Sequence, residues 1–141
     1  MKVYPKIGIR PTIDGRQGGV RESLEEKAMK MAQSAKELIE NSLCYADGTP
    51  VQCVLASRTI GGGGDAGIVQ QEFTGQNIVA TLSVTPSWCY GTETMDIDPN
   101  TIKAIWGFNG TERPGAVYLA AAMSGYAQKG FPAFKIYGHD V

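Results

Sequence analysis

The sequence predicts a three-layer α/β domain, a mostly parallel sheet with helices on its faces. Short apolar, β-prone runs alternate along the chain with longer segments of helical periodicity. The connections between them are short and punctuated by glycine, proline or Asp-Gly. The chain has 141 residues, 43% apolar and 19% charged, which suits one domain with its own core and does not suit a disordered chain.

Residues 6–10 read as the first strand, ended by Pro11, and a glycine-marked loop covers residues 12–19. Val20, Leu24, Ala28, Met31, Ala35, Leu38 and Ile39 then recur at steps of three and four, with Glu, Lys and Gln between them. That pattern is an amphipathic helix. Asp47-Gly48 marks a turn, and residues 51–57 form a second strand rich in β-branched side chains. A short helix is expected over residues 68–74 and a third strand over 78–84. Pro114 stands near the start of a second clear helix over 117–128, which Gly130 and Pro132 stop. Residues 134–137 read as the last strand. These elements imply a single flavodoxin-like or Rossmann-like domain over residues 1–141.

Net charge is −1, from 13 basic and 14 acidic residues spread along the chain. No basic stripe appears, which argues against a nucleic-acid partner. Cys44, Cys53 and Cys89 are odd in number and lack CxxC spacing. They favour a reducing compartment over a disulfide framework or a zinc site. Neither a secretory leader nor a membrane span is signalled, and the cytoplasm is the expected location.

The most informative stretch follows the third strand. Thr85-Pro86-Ser87-Trp88-Cys89-Tyr90-Gly91-Thr92-Glu93 places aromatic rings and hydroxyls at a strand's carboxyl end, where open α/β sheets bind ligands. Ala104-Ile105-Trp106-Gly107-Phe108-Asn109-Gly110-Thr111-Glu112-Arg113-Pro114-Gly115 adds the second tryptophan and further turn residues. Aromatic faces beside hydrogen-bonding groups suit a polyhydroxylated ligand. A buried Trp with a tight turn is the other reading of the same residues.

Other groups carry less chemistry. Gly62-Gly63-Gly64-Asp65-Ala66-Gly67 fits GxGxxG, but it follows the second strand and lacks an acid about twenty residues on. A flexible surface connection explains residues 61–67 better than a nucleotide site, although a stand-alone flavodoxin-like nucleotide or phosphate module is the alternative reading. His139-Asp140 and Asp96-x-Asp98 do not compose a metal shell. The two aspartates read as turn formers, and His139-Asp140 as a strand-end or interdomain contact. Cys89 reads as a buried, inert thiol rather than a nucleophile. Arg16 lies in the loop after the first strand, and on sequence alone it is a solvated loop arginine. Glu112 and Arg113 are expected to cap and anchor the helix that Pro114 begins.

The Thr85–Glu93 and Ala104–Gly115 segments resemble the N-terminal domain of the L-fucose isomerase family. So do Pro5-Lys6-Ile7-Gly8-Ile9-Arg10-Pro11-Thr12-Ile13-Asp14-Gly15-Arg16, Gly19-Val20-Arg21-Glu22-Ser23-Leu24-Glu25 and Ile136-Tyr137-Gly138-His139-Asp140-Val141. The resemblance covers nearly the whole chain and is weakest over residues 58–76. Chains of that family are several times longer, so it implies a first domain separated from its metal-binding catalytic domains. It further implies aldose–ketose isomerisation of L-fucose or D-arabinose through an enediol. Mn²⁺ would be held by ligands outside this chain, in a homo-oligomer, hexameric by the same resemblance. Carried over by motif position, Arg16 and Trp88 become sugar-contacting residues in a pocket completed by the catalytic domains of a neighbouring subunit. Tyr90, Thr92, Glu93 and Asn109 are further candidates from the same loops. No residue of this chain is expected to be catalytic, and none to bind the metal.

Overall fold

The computed structural model describes residues 2–138. Its elements run β1 (Lys6–Pro11), α1 (Val20–Ser42), β2 (Cys53–Leu55), α2 (Gly63–Phe73), β3 (Ile78–Thr85), β4 (Ile102–Gly107), α3 (Gly115–Lys129) and β5 (Ala133–Ile136). The five strands form one sheet in the order β2-β1-β3-β4-β5, and every neighbouring pair is parallel. The sheet expected to be mostly parallel is therefore wholly so, in the flavodoxin-like strand order.

Alternation along the strands sorts the core into layers. Ile9, Leu82, Val84, Trp106 and Phe108 meet Met31, Ala32 and Ala35 of α1 on one face. On the opposite face, Val69 and Phe73 of α2 pack with Ala56 and Ile60. Beside them Tyr118, Leu119, Ala122 and Tyr126 of α3 pack against Ile105, Cys89 and Met95. Neighbours Ile105 and Trp106 on β4 thus point to opposite layers.

Local chemistry explains the helices. The buried residues of α1 are Leu24, Ala28, Met31, Ala32 and Ala35, one stripe at helical spacing. Its first turn is closed by Glu22, whose carboxylate accepts the N–H groups of Gly19 at 2.7 Å and Gly18 at 3.3 Å. In α3, Tyr118, Ala122 and Tyr126 are four apart and buried. This helix stops at Gly130, whose left-handed φ of 72° a side chain would resist.

The structure corrects four expectations. Residues 102–107, not anticipated as a strand, form β4, an interior strand paired with β3 and β5. Lys103 hid it: a lysine in an inward position breaks the apolar pattern, yet it is buried. Its ammonium donates to the Thr101 carbonyl at 2.6 Å and stands 3.9 Å from the Asp96 carboxylate. Helix α2 starts at Gly63 rather than residue 68, so the glycine patch is not a flexible surface connection. Strand β2 is shorter than residues 51–57 because the flanking backbone has other partners. Val51 N–H donates to the Leu43 carbonyl, and Ser57 N–H to Glu72. Pro11 does not stop β1 before itself; it is the strand's last residue, and its carbonyl accepts Ile60 N–H at 2.8 Å.

Candidate functional site

Strand order decides which loops meet. The chain leaves β1 toward β2 on one side and returns across β1 to β3, so connections diverge at the β1/β3 boundary. Open α/β sheets bind ligands beyond the carboxyl ends of the strands at such a point. The loops after β1, β3 and β4 share it, and their backbones are knitted together. Thr12 N–H donates to the Val84 carbonyl at 3.0 Å, Phe108 N–H to Thr85 at 3.3 Å, and Gly110 N–H to Pro86 at 3.2 Å.

Five charged and aromatic side chains gather at this rim. The Asp14 carboxylate is fully buried, whereas Arg16 is half exposed. Arg16 donates from Nε at 3.0 Å to Oδ1 and from Nη2 at 2.6 Å to Oδ2, a two-pronged pairing. Its guanidinium carbon lies 5.5 Å from the centre of the Trp88 ring. Tyr90 meets Trp88 edge to face, with ring centroids 4.9 Å apart. From the loop after β4, Arg113 brings Nη1 to 3.6 Å from Asp14 Oδ2. The hydrogen bond from Arg16 holds the Asp14 carboxyl below its ordinary range against the opposing effect of burial, and the Arg113 charge adds to the lowering.

The loop carrying Trp88 and Tyr90, residues 86–101, is fastened from beneath. Buried Arg10 donates from Nη2 to the Thr94 carbonyl at 2.9 Å and from Nη1 to the Ser83 hydroxyl at 3.1 Å. The Thr94 hydroxyl donates to the Tyr90 carbonyl at 2.6 Å and stands 3.2 Å from the Tyr118 hydroxyl. Tyr126 accepts Asp96 N–H at 2.9 Å. Asp96 also accepts the hydroxyls of Thr81 and Thr101, both at 2.6 Å. Asp98 accepts Asn100 N–H at 2.9 Å. The aspartates therefore form turns, and Asp96 anchors the loop as well.

Sequence reasoning singled out Arg16, Trp88, Tyr90 and Asn109. The first three stand together. Asn109 is exposed, and its side-chain oxygen lies 3.4 Å from Ala116 N–H at the start of α3. Trp106, in the other highlighted segment, belongs to the core and stacks on Phe108 at 4.2 Å. Arg113, expected to anchor its helix, turns to Asp14 instead. Asp14 and Arg10 were not singled out, although both are polar residues directly after or within an apolar strand. Cys89 is buried and its thiol is pushed up to about 12 by that burial, so it is no nucleophile at neutral pH. His139-Asp140 lies outside the described residues.

The glycine patch has a structural role. An added Cβ on Gly15 would lie 1.9 Å from the Gly61 carbonyl oxygen, and one on Gly61 would lie 2.6 Å from Gly15 Cα. These glycines let two loops touch backbone to backbone. The N-terminus of α2 already meets its own Asp65, which accepts Gly61 N–H at 3.1 Å and Arg21 Nη1 at 2.7 Å. An anion there would compete with that carboxylate, so nothing supports the nucleotide-module alternative. Among the described residues no three His, Cys, Asp or Glu converge on a common point for a metal ion. Nor, among them, is any helix long and apolar enough to cross a membrane.

Residues 4–141 match the family model described as L-fucose isomerase, first N-terminal domain. Over 141 residues the chain is 94% identical to an L-fucose isomerase of Clostridium perfringens, and 61% identical to one of Bacteroides thetaiotaomicron. An L-fucose isomerase of Streptococcus pneumoniae is 59% identical over 138 residues, 98% of this chain. In each comparison the aligned region is 24% of the relative, so the chain spans about a quarter of the length of these proteins. The chain belongs to the L-fucose isomerase family and corresponds to its first N-terminal domain.

Proposed function

We propose that this domain is the substrate-facing lid of an aldose–ketose isomerase that interconverts L-fucose and L-fuculose, and D-arabinose and D-ribulose by the same chemistry. The observation that carries the reading is the Arg16–Trp88 pair, displayed at the β1/β3 boundary and fixed from behind by Asp14. A sugar presents hydroxyls on its edges and C–H groups on its faces. Arginine offers several N–H donors in a rigid plane, and an indole covers the apolar face. Tyr90 widens that aromatic surface, and Asn109 stands in the neighbouring loop.

Isomerisation through an enediol needs a base and an electrophile beside C1 and C2 of the sugar. By the family resemblance, the Mn²⁺ and the proton-transferring groups are supplied by the catalytic domains, outside this chain. This domain binds and orients the end of the sugar remote from those carbons and excludes water from it. The pocket closes between subunits of a homo-oligomer, a hexamer, in the cytoplasm. The 141-residue domain by itself does not turn the sugar over.

The test is steady-state kinetics of the full-length enzyme on L-fucose with Arg16→Ala and Trp88→Ala. Each is expected to lower kcat/KM about tenfold or more, the loss of one good substrate contact. Wild-type kcat/KM in both variants would overturn the reading.

A further inference from the structure

The rim arginine is not free to move, and the group that restrains it is buried. We propose that Asp14 is a positioning residue for substrate recognition: its carboxylate fixes the Arg16 guanidinium against Trp88 and draws Arg113 to the same site as a second cation. This rests on the reading of Arg16 and Trp88 as sugar contacts and adds two residues to it.

Geometry separates Asp14 from an ordinary surface ion pair. Its side chain has no exposure, while Arg16 and Arg113 are 50% and 38% exposed. The carboxylate therefore has one fixed position, set by the strand end, and the two long cationic side chains are fixed by it. Asp14 Oδ1 also accepts Arg16 N–H at 3.2 Å, so the backbone turn and the side chain are held by the same group. Nε and one Nη2 hydrogen point inward to Asp14. The Nη1 hydrogens make no hydrogen bond among the described residues. A guanidinium has five N–H donors, so three remain available for a ligand's hydroxyls.

Charge points the same way. Two guanidinium groups at one rim repel each other, and the buried carboxylate between them offsets that repulsion, leaving a net positive site. Arg113 arrives from the loop after β4 and Asp14 from the loop after β1, with β3 between them in the sheet. The pair therefore bridges over the base of the loop that presents Trp88. Without Asp14, Arg16 regains the rotamer freedom of a long exposed side chain and must lose it again on each binding event. The cost falls on binding, not on the chemical step.

The experiment is a double-mutant cycle in the full-length enzyme with L-fucose at saturating Mn²⁺, using Arg16→Ala, Asp14→Asn and the double variant. Arg16→Ala is expected to raise KM about tenfold with kcat within about threefold of wild type. Asp14→Asn should reproduce at least about half of that rise, and the double variant should fall clearly short of the product of the two single effects, any remainder beyond Arg16→Ala reporting on Arg113. Wild-type KM in Asp14→Asn, beside an impaired Arg16→Ala, overturns the proposal and leaves the sugar-contact reading intact. Fully multiplicative effects overturn it too, because Asp14 would then act apart from Arg16. Unchanged kinetics in Arg16→Ala removes Arg16 as a sugar contact and this proposal with it. Should Asp14→Asn fail to fold, Arg16→Lys decides, since it keeps the charge and loses the planar fork. It should show most of the Arg16→Ala rise in KM, and wild-type KM in Arg16→Lys overturns the proposal.

Discussion

The guanidinium of Arg16 and the indole of Trp88 come from loops after adjacent strands β1 and β3, and they meet at 5.5 Å. Arg16 is half exposed and Trp88 half buried at the rim. Tyr90 holds the same indole from its edge. The arrangement is a pre-set surface: cation, ring face and hydroxyl are in place before any ligand arrives, so a ligand is spared the entropy of assembling them.

If Trp88 acts through its ring face, substitutions at this position should rank by aromatic character rather than by volume. In the full-length enzyme, Trp88→Phe should raise KM for L-fucose by about threefold, and Trp88→Leu by about tenfold, close to Trp88→Ala. Equal KM values for the Phe and Leu variants would mean that the indole only fills space.

Acid should weaken the domain through two buried carboxylates. Asp14 is held below its ordinary range by the Arg16 hydrogen bond. For Asp96, burial pushes upward, and the hydroxyls of Thr101 and Thr81, with the charge of Arg10, more than reverse it. A carboxyl depressed in the folded state adds stability above its unfolded pKa of about 4, and the gain is lost as pH falls through the folded value. The Tm difference between wild type and Asp14→Asn should therefore be largest near neutrality and shrink below about pH 4. A difference independent of pH from neutrality to strong acid would contradict this.

The three cysteines should differ sharply in reactivity. Cys44 is exposed, whereas Cys53 and Cys89 are buried. Burial pushes their thiols up to about 11 and about 12 respectively. Titration of the 141-residue domain with a chromogenic disulfide at mildly alkaline pH should modify Cys44 promptly and the other two only in denaturant. Rapid modification of Cys89 in the folded domain would show that the loop over it opens readily.

Much of this fold was legible because most elements keep their own period. The stripe from Leu24 to Ala35 and the apolar run of β3 needed no tertiary information. Strand β4 was missed because Lys103 sits inside the sheet, and that is tolerated only because the Thr101 carbonyl and Asp96 lie within its reach. Helix α2 began earlier than expected because Gly63 and Gly64, poor helix formers, are carried by packing of Val69 and Phe73. At the site, Arg16 and Trp88 were named from motif and loop position. Asp14 and Arg113 were not, since ninety-nine positions separate them and only the β1-β3-β4 order brings them together.

The same end of the sheet sets a steric limit that mutation should expose. Helix α3 begins at Gly115, directly against the ends of β3 and β4. A Cβ there would lie 2.3 Å from the Thr85 carbonyl oxygen and 2.4 Å from that of Phe108. Both are backbone atoms at strand ends and cannot swing aside as a side chain would. Gly115→Ala must therefore push α3 off the sheet, which should cost about 2–3 kcal/mol, the upper range of overpacking. Gly67, in the body of α2, has nothing within 4 Å of the corresponding point. Gly67→Ala should instead stabilise the domain by about 0.5–1 kcal/mol through the unfolded chain's lost freedom. Urea unfolding of the two variants beside wild type measures both. Opposite signs are expected, and a Gly115→Ala midpoint at or above wild type would mean that α3 does not rest on the strand ends.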